Sequence, residues 1–567
     1  MQKKTLSLLC LPLLLSGCTS SLPLEFTEYK DYAPLIDTHS TVNWDETNAR
    51  PVEGAKYYRS GLTNKVTLPY TSYGLNEVSS LKTISASRDG KNVFHNVGDL
   101  KLVVVPVTFE EQRVDEKEQE AKKVHIQNAF FGDKTHNSYE SVASYYNKSS
   151  YGKVKITGEV VDWFECSYTV DRAIREAKNN GSGEVVSRNI AAQVADYLHE
   201  LTNRTGSTFD INDYDNDNDG VIDGIYIVYD YPQDDSISNR SPLFWAYFDK
   251  VTKGFDGLNN DSPYASSYSW SSFYFTGSRA MSENIVDANT FIHETGHLFG
   301  LDDYYNTNSK TFNYNGSYSK ETSGVFQPTG FMEMMDYNLG DHCAFSKYLL
   351  DWANPYVIQD ECEITLRSLT KSGDFAIIPA PNWNGTAFDE YLLLEYFTPD
   401  DLNSSFNFPS YSYFDGDNVE RIYTYPNRHG LRVYHVDARL AYFRQRTIKS
   451  EKIAIDAPQA ELEAWKTTNP DVGYVDFLNT NATQGTVDSN AQVLLHLLEA
   501  DGKNNLLNGI AASNTTLFGI NSTFGYDVYK DFVCNKKDAS NKHFSFDYKF
   551  KVSKLSSDQV TLTIEKK

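Results

Sequence analysis

The sequence predicts two unlike halves: an α/β domain over residues 96–355 and a mostly β region, in one or two domains, over 356–567. Three observations carry this. Apolar runs of strand length alternate with helical periodicities from residue 100 to residue 352. After Trp352 the chain turns to short β-like runs separated by Asn, Gly, Pro and Ser. With 40% hydrophobic and 14% aromatic residues, the 567-residue chain has ample apolar material for packed cores.

The first segment is an address. Lys3 and Lys4 precede an apolar run over 6–15, too short to span a bilayer and laid out like a secretory signal. It ends in Leu15-Ser16-Gly17-Cys18, which resembles the lipobox of bacterial lipoproteins. The resemblance implies removal of residues 1–17, lipidation of Cys18, and anchoring at the extracellular face of a bacterial membrane. Residues 18–95 are polar and weakly periodic, and are read as a tether and N-terminal lead-in, a pro-segment being one interpretation. No later apolar run reaches 18 residues.

Beyond the lead-in, the run Leu102-Val103-Val104-Val105 marks a strand over 100–109. Helical patterns follow over 116–130 and 138–146, then a strand over 153–164 and a long helix over 184–201. An acidic loop leads into a buried strand over 221–228, and an aromatic strand is expected over 270–275. Helices are expected over 287–299 and 342–352. The second half shows strand patterns over 391–396, 431–436 and 560–564.

Asp and Glu total 76 against 52 Lys and Arg, a formal net charge of −24. Such a chain has no electrostatic footprint for a phosphate backbone, which argues against nucleic acid as a partner. No glycine-rich loop with an adjacent Lys suggests a nucleotide-driven machine. Carboxylate-rich chains do suit divalent cations. Cys166, Cys343, Cys362 and Cys534 remain after Cys10 and Cys18; they allow three full pairings and show no zinc-finger spacing.

The strongest signal is Phe291-Ile292-His293-Glu294-Thr295-Gly296-His297-Leu298-Phe299-Gly300-Leu301-Asp302-Asp303. On a helix, His293 and His297 stand one above the other, so both imidazoles can reach one metal ion. Glu294 is rotated about 100° from His293, placed to handle a water at the metal without binding the metal itself. Gly300 can take positive φ and end the helix, so that Asp303 returns as a third ligand. Asp336 and His342 are alternative third ligands. With 12 His in the chain, His-Glu-x-x-His is expected by chance only about 0.02 times.

Three of the five methionines fall in Gly330-Phe331-Met332-Glu333-Met334-Met335-Asp336-Tyr337-Asn338, about forty residues further on. Met335 and Tyr337 are similar to the Met-turn of metzincin peptidases, where a Met lies beneath the metal and a Tyr two residues later supports the oxyanion.

The loop from Asp210 to Asp223 carries an EF-hand-like spacing. Asp215, Asp217 and Asp219 stand at positions 1, 3 and 5, Gly220 at 6 and Asp223 at 9. Tyr226 stands where a Glu would complete the ligand set. So many neighbouring carboxylates repel one another unless a cation neutralises them, and a structural Ca2+ is expected.

Together these stretches resemble the immune inhibitor A family of secreted bacterial zinc peptidases. The likeness also runs through Ser144-Tyr145-Tyr146, Ser150-Tyr151-Gly152-Lys153, Gly340-Asp341-His342 and Phe345-Ser346-Lys347. In the second half it covers Glu390-Tyr391, Leu393-Leu394-Glu395-Tyr396, Gly430-Leu431-Arg432, His435-Val436-Asp437 and Ala500-Asp501-Gly502. It implies a metzincin-like α/β domain followed by β-rich domains. It also implies a catalytic Zn2+ on His293, His297 and Asp303, Glu294 as the base, bound Ca2+, and protein or peptide substrates. The chain is expected to act as a monomer. A non-catalytic adhesin or glycan-binding lipoprotein is the alternative from another class. The intact His-Glu-x-x-His argues against it, since an idle site tends to lose its Glu. No Cys occurs in residues 19–90, so a thiolate from the lead-in cannot cap the zinc.

Overall fold

The computed structural model describes residues 92–112, 115–232, 243–277, 285–305, 327–407, 420–444, 473–481, 493–503, 510–525 and 544–567, with shorter pieces elsewhere. The signal segment, Cys18 and Cys534 lie outside the described residues.

The first sheet is built on β1 (Gly98–Phe109), β2 (Val154–Val160), β3 (Phe164–Cys166), β4 (Ile225–Tyr229), β5 (Tyr247–Lys250) and β6 (Ser267–Ser272). Its order is β5-β6-β4-β1-β2, with β3 also paired to β1. All pairs are parallel except β5 with β6. Parallel strands need crossovers, supplied by α1 (Glu116–Phe131), α2 (Val142–Ser149), α3 (Val170–Asn180) and α4 (Glu184–Asn203). Along β1, Leu100, Leu102 and Val104 enter one core while Val103, Val105 and Val107 enter another. Ile126 and Phe130 of α1 and Val142 of α2 belong to the first core; Ala173, Ala177, Val186 and Ile190 of α3 and α4 belong to the second. Helices thus cover both faces, which is why the strand reads as an unbroken apolar run.

Some expectations shift. The strand over 221–228 is two pieces. Val221–Ile222 pairs with Tyr264–Ala265, and β4 starts at Ile225. The break holds Gly224, where a Cβ would collide with the Phe94 ring. The strand over 270–275 ends at Ser272, whose hydroxyl caps a 3-10 turn over Phe273–Thr276. The expected 342–352 helix is shorter, α7 (Ala344–Leu349). Helix α3 and edge strand β5 were not anticipated, although Thr169 as N-cap and Gly181 in the left-handed region bracket α3 in the sequence.

The second half begins with β7 (Tyr356–Ile358), β8 (Cys362–Arg367), β9 (Phe375–Pro379), β10 (Glu390–Phe397), β11 (Gly430–Asp437) and β12 (Leu495–Leu498). One sheet runs β12-β11-β10-β9-β7 and is completed by Tyr57–Arg59 of the lead-in, antiparallel to β7. Another joins β8 to the C-terminal hairpin β13 (Tyr548–Leu555) and β14 (Gln559–Lys566), with Thr523–Gly525 at its edge.

The lead-in is therefore woven into both halves. Its helix Leu81–Asp89 places Leu81 and Ile84 in the first core, and the Phe94 N–H donates to the Leu298 carbonyl at 2.6 Å. Cys166 and Cys343 are buried free thiols, and Cys362 is buried as well. Among the described residues no helix is long and apolar enough to cross a membrane.

Candidate metal centre

The motif lies on α5 (Asn289–Leu298). Phe291, Ile292 and Leu298 are fully enclosed in the first core. The Ser269 hydroxyl donates to the Glu294 carbonyl at 3.1 Å, and the Tyr146 hydroxyl to the Ile292 carbonyl at 2.7 Å. These two bonds hold the helix against the sheet and α2. Leu301 N–H closes back on the Gly296 carbonyl at 3.1 Å, and Gly300 has φ +88°, as expected of a glycine that turns the chain.

The turn brings Asp303 back. Its Oδ1 lies 3.0 Å from His293 Nε2 and 3.3 Å from His297 Nε2. His293, His297 and Asp303 each present a ligand atom, all within 4.8 Å of one another. The other ring nitrogens are fixed: His293 Nδ1 donates to the Met334 carbonyl at 2.9 Å, and His297 Nδ1 to the Leu301 carbonyl at 2.7 Å. A carbonyl only accepts, so each Nδ1 carries the proton and each Nε2 is left to face the cluster.

The electrostatics suit a cation. Burial opposes charge on His297, yet the Asp303 carboxylate lifts its pKa to about 9, and His293 is raised against burial in the same way. Burial raises the Glu294 pKa, and burial would raise that of Asp303 too, but the two imidazoles pull it far down. Glu294 Oε2 is buried with no hydrogen-bond partner. Two nitrogens, one carboxylate oxygen and an unsatisfied carboxylate beside them fit a metal ion with a ligand position left open.

The alternative third ligands are engaged elsewhere. Asp336 Oδ2 accepts from the Thr329 hydroxyl and, at 2.8 Å, from the Phe331 N–H. His342 Nδ1 sits 3.2 Å from Glu333 Oε1. Met335 lies against the helix at Gly296. Tyr337 ends α6 (Met334–Tyr337), its ring 4.7 Å from that of Phe331, and it is not among the side chains lining the cleft.

That cleft encloses about 250 Å³. Besides the motif it is lined by Ser85 of the lead-in, by Trp245, Ala246, Tyr247 and Phe248 at the start of β5, and by Tyr305. The Phe248 ring stacks on His297 at 6.2 Å. Sequence reasoning missed these residues, which belong to no short motif. Only Tyr305, two positions after Asp303, carried a local signal.

In the acidic loop, carboxylate oxygens of Asp215, Asp217 and Asp223 lie within 4.8 Å of one another; Asp219 stands outside that group. Asp219 instead accepts from the Val221 N–H at 2.9 Å. Asp215 accepts from the N–H groups of Asp219 and Gly220, both at 3.0 Å, and Gly220 has φ +84°. Asp223 is buried and accepts from Asn216 N–H and Nδ2. Lys82 Nζ of the lead-in lies 2.8 Å from Asp217. Tyr226 at position 12 is turned into the core, with its hydroxyl 2.8 Å from Ser271.

Residues 96–337 match the family model described as immune inhibitor A peptidase M6, catalytic domain. This chain carries an M6 peptidase domain. The match opens just before β1, contains both candidate cation sites, and closes on Tyr337, the last residue of α6. No curated protein matches the chain. The M6 domain supports a metallopeptidase role, a hydrolase of peptide bonds, and implies protein or peptide substrates.

Proposed function

We propose that this protein is a zinc-dependent endopeptidase in which His293, His297 and Asp303 hold the metal and Glu294 is the general base. The observation that carries this reading is the convergence of two Nε2 atoms and one Asp303 oxygen within 4.8 Å, with both Nδ1 atoms tied to carbonyls. Bound there, zinc supplies a Lewis acid that polarises the scissile carbonyl and acidifies water. Glu294 accepts the proton of the attacking water on its unpartnered, buried oxygen and passes it to the leaving amine. Burial holds its pKa above the ordinary carboxylate value, which suits a group that takes a proton and then returns it. Tyr305 lines the cleft beside Asp303 and Tyr337 does not, so Tyr305 is the better-placed hydroxyl for a developing oxyanion.

The same reading extends to place and cofactor. Leu15-Ser16-Gly17-Cys18 supports a lipid anchor on Cys18 and action on extracellular protein from the outer face of a bacterial membrane. The grouping of Asp215, Asp217 and Asp223 supports a structural Ca2+, with Asp219 serving its own turn instead of the ion. Hydrolysis of a peptide library, with and without a zinc chelator and after zinc is restored, tests the reading. Loss and recovery of cleavage are expected. Cleavage indifferent to the chelator would overturn it.

A further inference from the structure

Outside the site, a set of polar contacts runs from the β half onto the two segments that carry or fix the metal ligands. The β half donates several hydrogen bonds across, and the Gln327 N–H donates back to the Leu506 carbonyl at 3.0 Å. Arg432 Nη1 on β11 donates to the Met332 carbonyl at 2.9 Å. Asn481 Nδ2 donates to the Tyr304 carbonyl at 3.0 Å, next to Asp303. The backbone N–H groups of Leu497 and Ala512 donate to the carbonyls of Pro328 and Gly330, at 2.8 and 3.0 Å.

What they hold is the floor of the site. The Met334 carbonyl accepts from His293 Nδ1, and the Met335 carbonyl accepts the Tyr304 N–H at 2.8 Å. One turn thus orients a histidine ligand directly and the Asp303 segment through its neighbour. The turn is locked from its own side by Glu333. This fully buried carboxylate accepts from the Met335 and Cys343 N–H groups and the Ser346 hydroxyl, with His342 Nδ1 at 3.2 Å. It is locked from the far side by Arg432, which is ion-paired with Glu395 of β10. Both partners of that pair are buried in the sheet, so the guanidinium has little freedom to leave the Met332 carbonyl.

We propose that the β half is an obligatory part of the metal centre, and that Arg432 and Asn481 are positioning residues for the zinc ligands. The proposal rests on the zinc reading above. Groups behind the ligands typically govern metal affinity by 10–100-fold, because they set the orientation in which each ligand waits. Neither residue lines the cleft; Asn481 acts on the carbonyl of the residue after Asp303, and Arg432 on the Met332 carbonyl, two residues before the Met334 carbonyl that holds His293. A β half that merely tethered or targeted the enzyme would have no such contacts to lose.

The test compares Asn481→Ala, Arg432→Met and, as a control, Tyr151→Phe in the full mature chain. Tyr151 also bonds across the boundary, its hydroxyl donating to the Leu369 carbonyl at 2.6 Å, but onto no ligand-bearing segment. Zinc affinity is read by competition with a chromogenic chelator, and folding by thermal melting of the metal-free proteins. Asn481→Ala and Arg432→Met are each expected to weaken zinc by about 10–100-fold. Tyr151→Phe should lower the melting temperature without changing zinc affinity. Removing the guanidinium leaves Glu395 buried and unpaired, so if Arg432→Met does not fold, Asn481→Ala decides alone. Wild-type zinc affinity in a folded Asn481→Ala variant would overturn the proposal. Failure of the wild-type protein itself to bind zinc would instead overturn the zinc reading.

Discussion

Gly296 and Met335 meet where helix α5 packs on the turn that opens α6. A Cβ on residue 296 would stand far inside van der Waals contact with the Met335 sulfur, with the Met335 methyl at 3.0 Å and the Tyr146 hydroxyl at 3.2 Å. The glycine between the two histidines is therefore demanded by the Met-turn, not by the helix. An α-helix gains about 1 kcal/mol when Gly becomes Ala. Overpacking an enclosed site costs about 1–3 kcal/mol, and Met335 is fully buried with nowhere to retreat. Gly296→Ala should therefore lower the melting temperature and weaken zinc binding. A more stable protein with unchanged affinity would show that Met335 is free to move aside.

The third ligand is the next point of test. Asp303→Ala leaves two histidines and an under-coordinated site, so zinc content should collapse. Asp302→Ala should keep the metal, because the Asp303 oxygen is the one that lies at 3.0 and 3.3 Å from the imidazoles. Metal analysis of the two purified variants checks this, and exchanged results would contradict the turn drawn after Gly300.

Asp336 gives a pH signature. Burial, aided by nearby Glu333, raises its folded pKa to about 7 from an ordinary 3.8. A group whose folded pKa is raised favours the fold most below its unfolded pKa, and that contribution is lost as pH rises through the folded value. Wild-type stability should therefore fall between about pH 4 and pH 7 by an amount that Asp336→Asn abolishes. Melting curves of the metal-free proteins across that window measure it. Parallel pH profiles for the two proteins would mean that Asp336 is charged throughout.

The acidic loop predicts a calcium dependence. A ligand that binds only the folded chain stabilises it by about 2.7 kcal/mol at a hundredfold excess over Kd. Asp217→Ala with Asp219→Ala should abolish the calcium shift in melting temperature while zinc content stays unchanged. The structure sharpens this expectation: Asp217 and not Asp219 belongs to the group, so Asp217→Ala alone should remove most of the shift. Calcium must also displace Lys82 from Asp217, so Lys82→Met should strengthen calcium binding. An undiminished shift in the double variant would place the ion elsewhere.

What the sequence showed and what it hid divide by range. The pairing of His293 with His297, the positive φ at Gly300 and the return of Asp303 all act within eleven residues, where helix periodicity and glycine geometry decide. Met335 stands in a short pattern that resembles a Met-turn, and in the folded chain it packs against Gly296. Tyr337 was carried over on that pattern, but in the folded chain it packs on Phe331, while Tyr305 lines the cleft. Ser85, Trp245, Asn481 and Arg432 reach the site or its supports from segments far apart in the chain, and no periodicity reports such contacts. The lead-in was read as a polar tether because its apolar residues are sparse. Leu81, Ile84 and Phe94 nevertheless complete the core to which helix α5 belongs.

The most direct test of the zinc endopeptidase account is Glu294→Gln, with zinc content and peptide hydrolysis measured on one preparation. The ligands are untouched, so zinc should remain at one per chain, while loss of the base should lower kcat by several orders of magnitude. Near-wild-type turnover with zinc bound would contradict the role of Glu294 and, with it, the chemistry proposed for this site.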